Sequence, residues 1–558
     1  MKWLHQCRWL VLLVVSAIAG YTQQTAPGNG SPQGYRIAGV VVNSLTGQPI
    51  ADASVGIAPT ANADGDEVLR SVTTASDGRF AIAGLARGKY SLMATARGFS
   101  EQFFEHHGNF ATAIAVGPDL DSEGLVFRLD PDSAVEGAVA DDGGEPVQNA
   151  MVRLFEQRLQ DGQHKTVLMN QVQTDDRGQY HFGHLLPGTY YVAVSARPWW
   201  AQQGGLPVGP GMPARDAVAA QEVAALNATY PLTFYPSSPD SAGASPIVLK
   251  AGERATADVV MRAVPAITLR VRTPYVQKGP GSFYMSGPQV SQPIFEGQLI
   301  PVLLAVVGTG EPGLQVVSLP PGHYVLKVEP LNDAGASNHG WYQEIDLTAD
   351  TELNAAAAPG FATVAGSVAF QGASEVPANT FLLLSNPATG ETFRSAISSK
   401  GELHFGSDGI TPGRYNVLLE NSHGFALNQI LASGAKVTGR TLEITAAGAV
   451  TLKCIASRGI ARVEGVAQRD GKPVTGAMIV LVPRDLANNL PLVRRDQSDS
   501  DGTFTLSNVV PGEYKVVAIA NGWDLAWSEP SVIQPYLKAG TAVHITGDGK
   551  VEVKVEVQ

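Results

Sequence analysis

A Pro/Arg-Gly-x-Tyr tetrapeptide recurs five times, as Arg87–Tyr90, Pro187–Tyr190, Pro321–Tyr324, Pro412–Tyr415 and Pro511–Tyr514, its glycines 100, 134, 91 and 99 residues apart. A motif that returns at a near-fixed interval marks an array of one small unit. At 558 residues the chain is too long for one core, and at roughly 100–150 residues per domain it fits four to six. Sixty glycines, 36 prolines and only 16% charged residues suit many short strands joined by tight turns.

Two further glycines keep a constant spacing inside the units. The glycine of the first predicted strand and the tetrapeptide glycine lie 49 (Gly39, Gly88), 51 (Gly137, Gly188), 47 (Gly366, Gly413) and 47 (Gly465, Gly512) residues apart. An Asp/Ser-containing turn ends in Gly78, Gly178, Gly401 or Gly502, ten to twelve residues before the tetrapeptide glycine. Such a turn suits a hairpin, because Asp bonds its own backbone and Gly accepts a positive φ. The third unit lacks the opening glycine, and Glu311-Pro312-Gly313 replaces its acidic turn; the same fold, distorted, is expected there.

About seven short strands per unit, with turn signals at regular intervals, predict an all-β tandem array of about five antiparallel Greek-key β-sandwiches. The expected division is 35–131, 132–263 with an insertion at 197–246, 264–358 (divergent), 359–454 and 455–558. Short links such as Asp130-Pro131-Asp132 predict an elongated rod. The order Gly-x-Val, Gly-x-Pro-(Ile/Val), Asp-x-x-Gly or Asp-Gly, Leu-x-Pro-Gly-x-Tyr resembles the carboxypeptidase regulatory-like domain. It is carried by Gly39, Gly47–Ala53, Asp77-Gly78 and Gly88; by Gly137, Gly144–Ala150, Asp175–Gly178 and Gly188; and by Gly471–Ala477 with Asp501-Gly502. The resemblance implies a transthyretin-like (prealbumin-like) sandwich, related in shape to Ig-like and carbohydrate-binding sandwiches, and looks like exported bacterial proteins built only of such domains.

Lys2 and Arg8 precede an apolar run from Trp9 to Val15 and the small residues Ser16–Gly20. That is the pattern of a secretory signal peptide over 1–19, followed by a linker over 20–34. The run is shorter than the roughly 20 residues of a membrane span, so a secreted, periplasmic or cell-envelope location is expected, with no integral membrane segment after cleavage. Cys7 lies in the leader, which leaves Cys454 as the single mature cysteine, read as a buried thiol. A net charge of −12, or −14 without Lys2 and Arg8, with no basic cluster, argues against nucleic-acid partners.

No catalytic motif is found: no His-x-x-Glu or His-Glu-x-x-His zinc pattern, nucleophile elbow, phosphate loop or dinucleotide fingerprint. No enzyme activity, cofactor or metal is therefore expected. His181-Phe182-Gly183-His184 and Glu105-His106-His107 read as solvated hairpin and loop, and Asp499–Gly502 and Ala63–Asp66 as turns rather than calcium loops. The irregular feature is the insertion, with Trp199, Trp200, Tyr230, Phe234, Tyr235 and a helical candidate over 216–226. Long connections of this kind are usually functional or disordered. Trp199, Trp200, Tyr230 and Tyr235, with Trp523 and Trp527 of the last unit, are the candidate binding residues, through stacking on sugar rings or anchoring of a partner. The plainer reading is a flap over the boundary between units two and three.

These features together describe an exported, non-catalytic binding or adhesion protein of the envelope, with carbohydrate or an envelope protein as partner. Two alternatives stand: a structural spacer or assembly component without a small ligand, and the periplasmic part of a transport system. An outer-membrane barrel would need many roughly ten-residue strands with aromatic girdles. The alternating run Val551–Gln558 reads instead as a strand of unit five.

Overall fold

Every repeat folds as two facing sheets in the computed structural model. It describes residues 34–558 except 61–69, 202–226, 274, 280–281, 286, 303–305, 309–312, 329–340, 356–360 and 406–408. The expected leader 1–19, the linker up to residue 33, the helical candidate 216–226 and the acidic turn Ala63–Asp66 lie outside the described residues.

In the first unit Tyr35–Asn43 pairs with Arg79–Leu85, and Ser54–Pro59 of the facing sheet lies between Arg70–Thr73 and Gly88–Thr95. Alternation puts Ile37, Phe80, Ile82, Tyr90 and Leu92 into the space between the sheets. The other four units repeat the plan around their own cores. The third is a complete four-on-four sandwich with an additional small hairpin. Short edge strands such as Gln102–Phe103 bring the units to between eight and ten strands among the described residues, where about seven were expected.

One pairing corrects the purely antiparallel expectation. In each unit the first strand lies parallel to the last: Tyr35–Asn43 with Leu125–Leu129, Ser133–Asp141 with Arg254–Thr256 and Val259–Met261, Ile267–Arg272 with Thr351–Asn354, Ala362–Gln371 with Gly448–Arg458, and Ala461–Arg469 with Gly549–Glu556. Parallel neighbours need a long crossover, and here the whole facing sheet supplies it.

This pairing explains the opening glycine. A Cβ at Gly39, Gly137, Gly366 or Gly465 would fall within 3.0 Å of the carbonyl of Leu125, Ala257, Leu452 or Val553 on the last strand. The third unit has Val271 at this position, opposite Leu353. The turn glycines have a second role. Gly78, Gly178, Gly401 and Gly502 hold φ between +73° and +80°. Their carbonyls accept from Val41, Val139, Val368 and Ala467 of the first strand at 2.8–2.9 Å. In the third unit Gly313 accepts from Thr273 in the same way, at 2.7 Å.

The tetrapeptide is a corner. In all five units the buried tyrosine donates its hydroxyl to the carbonyl four residues back: Tyr90 to Ala86, Tyr190 to Leu186, Tyr324 to Pro320, Tyr415 to Thr411 and Tyr514 to Val510, at 2.7–3.0 Å. In the last four units the ring lies against the tetrapeptide glycine, where a side chain would leave too little room. The most repeated feature of the chain is thus structural.

Cys454 is buried in the fourth core, where burial pushes its thiol up to about 11. Its strand runs on to Arg458 and the fifth unit's first strand starts at Ala461, so the boundary falls after 458 and not at 454.

The rod expectation is also corrected. Unit five folds back onto unit one. Ser500 N–H donates to Ala113 O at 3.0 Å, Ala113 N–H to Asp499 Oδ1 at 3.0 Å and Ala115 N–H to Ser500 Oγ at 2.8 Å. Lys89 pairs with Asp499 and donates to Thr503 Oγ1 at 2.6 Å. The hairpin Met151–Gln160/Gln163–Gln173 of unit two reaches the other three units. Glu296 of unit three accepts from Thr166 at 3.1 Å, Pro387 O of unit four from Lys165 at 3.0 Å, and Gly162 O from Ser528 of unit five at 2.9 Å. Short links limit separation, but they do not prevent a chain of five units from closing.

Candidate functional site

Strand Met151–Gln160 turns Val152 and Leu154 into the second core, leaving Arg153 and Phe155 on the outer face of the sheet. Unit three covers this face with Ile294, Phe295 and Ile300, and the insertion adds Leu232 and Phe234. Phe295 is the centre of the contact, with ring centroids 5.3 Å from Phe155, 5.2 Å from Tyr191 and 5.6 Å from Phe234. Beside the aromatic cluster lies a small cavity of about 30 Å³, whose lining includes Arg153, Ser195, Tyr230, Gln292, Ser318 and Tyr324.

Arg153 is 6% exposed and donates from Nη1 to Ser195 Oγ at 2.8 Å. Burial lowers its pKa, and no carboxylate acts to raise it. The cavity wall carries hydroxyls, an amide and no acidic side chain. A charged residue within the apolar run Met151-Val152-Arg153-Leu154-Phe155 was a visible signal for this site. Sequence reasoning missed it because nothing local shows what faces the strand.

The six aromatic candidates separate. Trp199 is 70% exposed, in a turn closed by Ala201 N–H to Pro198 O at 3.1 Å. It lies three residues beyond Ala196 of the cavity wall, at most about 10 Å of chain. Trp200 is half-buried. Tyr230 is buried in the second core and lines the cavity, and Tyr235 packs partly buried against the same core. Thr233–Phe234 adds to the edge of Gly188–Ser195, and Ala228–Thr229 pairs with Val264–Pro265, so the described part of the insertion covers the boundary between units two and three.

Trp523 and Trp527 lie elsewhere. Trp523 stacks on His107 of unit one, centroids 4.7 Å apart and planes 7° apart, and donates Nε1–H to Gly476 O at 3.1 Å. Trp527 is 5% exposed, packed where the Gly162 hairpin tip arrives. Burial between units of the same chain, not presentation to a ligand, accounts for both. Gln497 completes the junction, donating to Glu105 O at 2.7 Å and Thr112 Oγ1 at 2.8 Å.

His184 pairs with Asp132 at 2.9 Å and His181 with Glu136 at 3.4 Å on the exposed hairpin. Among the described residues no three His, Cys, Asp or Glu side chains come together as a metal site. No helix among them is long and apolar enough to cross a membrane.

The carboxypeptidase regulatory-like domain model matches residues 36–116 and 134–221. The matched spans fall in the first two units, which are thus similar to carboxypeptidase regulatory-like domains. Both matched spans carry the opening glycine, the turn glycine and the tyrosine corner described above. The match is to a regulatory-like domain, and the name carries no peptidase site. No curated protein matches the chain. Among solved structures the chain is similar to the Bacillus anthracis TIE protein (12% identity, 77% of this chain and 75% of that one, TM-score 0.16). It is also similar to the minor pilin GBS52 of Streptococcus agalactiae (14% identity, 44% and 100%, TM-score 0.20) and to the major pilin subunit BcpA of Bacillus cereus (10% identity, 76% and 99%, TM-score 0.13). TM-scores this low leave the function to be read from the chain's own residues.

Proposed function

We propose that the chain is an exported, non-catalytic binding protein of adhesion type, secreted or held at the cell envelope, that takes carbohydrate at the rim of the cleft between units two and three. The observation that carries this reading is Trp199, a large ring 70% exposed in the turn that follows strand Gly188–Ser195, while the other tryptophans of the candidate set are partly or fully packed. A flat apolar face next to hydrogen-bonding groups suits a sugar ring, which presents C–H bonds on one side and hydroxyls at its edge. The closure of unit five onto unit one speaks against a simple extended spacer, which would gain reach from a rod.

The test is binding of the whole chain to a glycan array. Retention of defined glycans by the wild type and their loss in Trp199→Ala, with unchanged melting, is the expected result. Binding indifferent to Trp199, or no glycan bound while an envelope protein is captured through the same face, would overturn the carbohydrate assignment.

A further inference from the structure

We propose that the outer edge of strand Arg79–Leu85 in unit one receives an extended, uncharged, β-branched segment of a partner protein, which adds to the sheet as a short antiparallel strand. Arg79–Leu85 pairs with Tyr35–Asn43 on one side only. The same edge occurs in every unit, and three copies are closed. In unit three Val306–Gly308 pairs antiparallel with Leu314–Leu319, setting Val307 opposite Val316. In unit four Ser395 Oγ accepts from His404 N–H at 3.0 Å and donates to His404 O at 2.9 Å. In unit five Asp496 Oδ2 accepts from Thr505 N–H at 2.7 Å. Val316, His404 and Thr505 face Arg270, Ala365 and Glu464 across the sheet, as Ala81 faces Ala38, so the four hold one position of the repeat. The place of the clamping Ser395 and Asp496 is taken by Val72 in unit one and Val172 in unit two, and valine can neither donate nor accept. Ala81 therefore keeps its outward N–H and C=O without a partner among the described residues. An unpaired edge of this kind is a template for another chain.

The open stretch has definite ends. Arg79 is occupied, its N–H donating to Asp77 Oδ1 at 3.2 Å and its carbonyl accepting from Ala75 N–H at 3.0 Å. At the other end Arg70 Nη1 donates to Ala83 O at 3.4 Å and to Gly84 O at 3.3 Å. What is left matches the three residues of Val306–Gly308. Ala81 and Ala83 are exposed and small, so an incoming backbone can come close. The edge borders a groove of about 1040 Å³, lined by Val72, Thr73, Arg79 and Ala81 and reaching Val40 and Leu125. That is at the upper end of small-ligand pockets and leaves room for a short peptide. The groove's charges are already matched, Arg79 with Asp77 at 3.3 Å and Arg36 with Glu123 at 3.8 Å. An uncharged segment therefore suits it, and β-branched residues favour the strand it must form. In strand addition the main-chain bonds supply affinity and the flanking groove supplies specificity.

The experiment uses the full chain and a labelled peptide carrying residues 305–309, the unit-three segment, between Gly-Ser flanks. Fluorescence anisotropy measures affinity, and amide exchange locates the site. The peptide should bind and, at saturation, slow exchange at Ala81 and Ala83 at least tenfold. A peptide with both valines replaced by proline should do neither, because proline lacks the N–H that pairing needs. Val72→Asp, which installs the clamp of unit five, should slow Ala81 exchange without peptide and cancel the peptide's effect, whereas Val72→Ala should leave that effect intact. Ala81→Pro should weaken binding at least tenfold; should it fail to fold, Val72→Asp decides, since Asp496 is a folded precedent for it. Peptide protection insensitive to Val72→Asp, equal protection by the proline peptide, or none at Ala81 would overturn the proposal. So would concentration-dependent dimerisation of the chain that Val72→Asp abolishes while the peptide does nothing, since the occupant would then be a second copy.

Discussion

Replacing Tyr190 by Phe removes one oxygen and leaves the ring in place, which makes it the cleanest probe of the corner that recurs in all five units. The hydroxyl donates to Leu186 O at 2.8 Å, and the tyrosine is fully buried. Its loss forfeits a hydrogen bond and leaves the Leu186 carbonyl without this donor, a change of about 1–2 kcal/mol. For a unit of this size each kcal/mol corresponds to roughly 4–8 °C of melting temperature. Calorimetry of the full chain should therefore show the transition that contains unit two falling by about 4–16 °C. Tyr324→Phe should do the same to unit three, because its hydroxyl meets Pro320 O at 2.8 Å in an equally buried corner. Tyr342→Phe is the control: its hydroxyl bonds the exposed Glu344 at 3.0 Å and should matter little. Melting unchanged in both corner variants, or lowered as much in the control, would refute the corner as a structural element.

Gly366→Ala should destabilise unit four by about 3 kcal/mol, the upper end for overpacking, because the new Cβ would overlap backbone atoms of Leu452; limited proteolysis should then cut first within 361–458, and resistance equal to wild type would contradict the steric reading. The Asp496 carboxyl is pushed up to about 6, chiefly by burial, although Thr505 and Gln497 donate N–H bonds to it at 2.7 and 2.9 Å. A raised carboxyl favours the protonated native state, so stability present below about pH 4 is lost as the pH rises through 6, by at most about 3 kcal/mol. Unfolding free energies of wild type and Asp496→Asn should therefore diverge in favour of Asn between pH 4 and 7.5, and a constant difference would dismiss the buried-carboxyl argument. Asp499→Ala should speed amide exchange at Ala113 at least tenfold, since Asp499 Oδ1 is the acceptor of that N–H; unchanged protection there would mean that units one and five do not meet in solution.

The fold was legible because its requirements are local. A glycine forced by a passing carbonyl, a glycine with positive φ in a turn and a tyrosine four residues after its acceptor all leave fixed spacings in a linear string. The parallel pairing of first and last strands was not legible, although the opening glycine was its trace: the residue type announces a close approach and not what approaches. Asp499-Ser500-Asp501-Gly502 shows the same limit. Asp501 makes the turn, accepting from Thr503 N–H at 3.0 Å, and this frees Asp499 to bind unit one. The sequence shows two turn carboxylates and nothing of the partner that separates their roles. Trp523 and Trp527 were read as presented aromatics because a large apolar side chain in a late loop has the same sequence signature whether it meets a ligand or another unit of its own chain. Trp199 was flagged on the same grounds and is exposed. Arg153, which no motif marks, acquires its meaning only when unit three covers the strand.

Closure of the five units into one body is the claim on which the cleft, the hairpin contacts and the buried tryptophans depend. Small-angle X-ray scattering tests it directly. A compact body of this length has a radius of gyration of about 24 Å, whereas five such units in line reach roughly 50 Å. The account predicts a value near the first, rising in an Asp499→Ala/Trp523→Ala double variant that opens the junction of units one and five. A wild-type value near the second, unchanged in the variant, would contradict it.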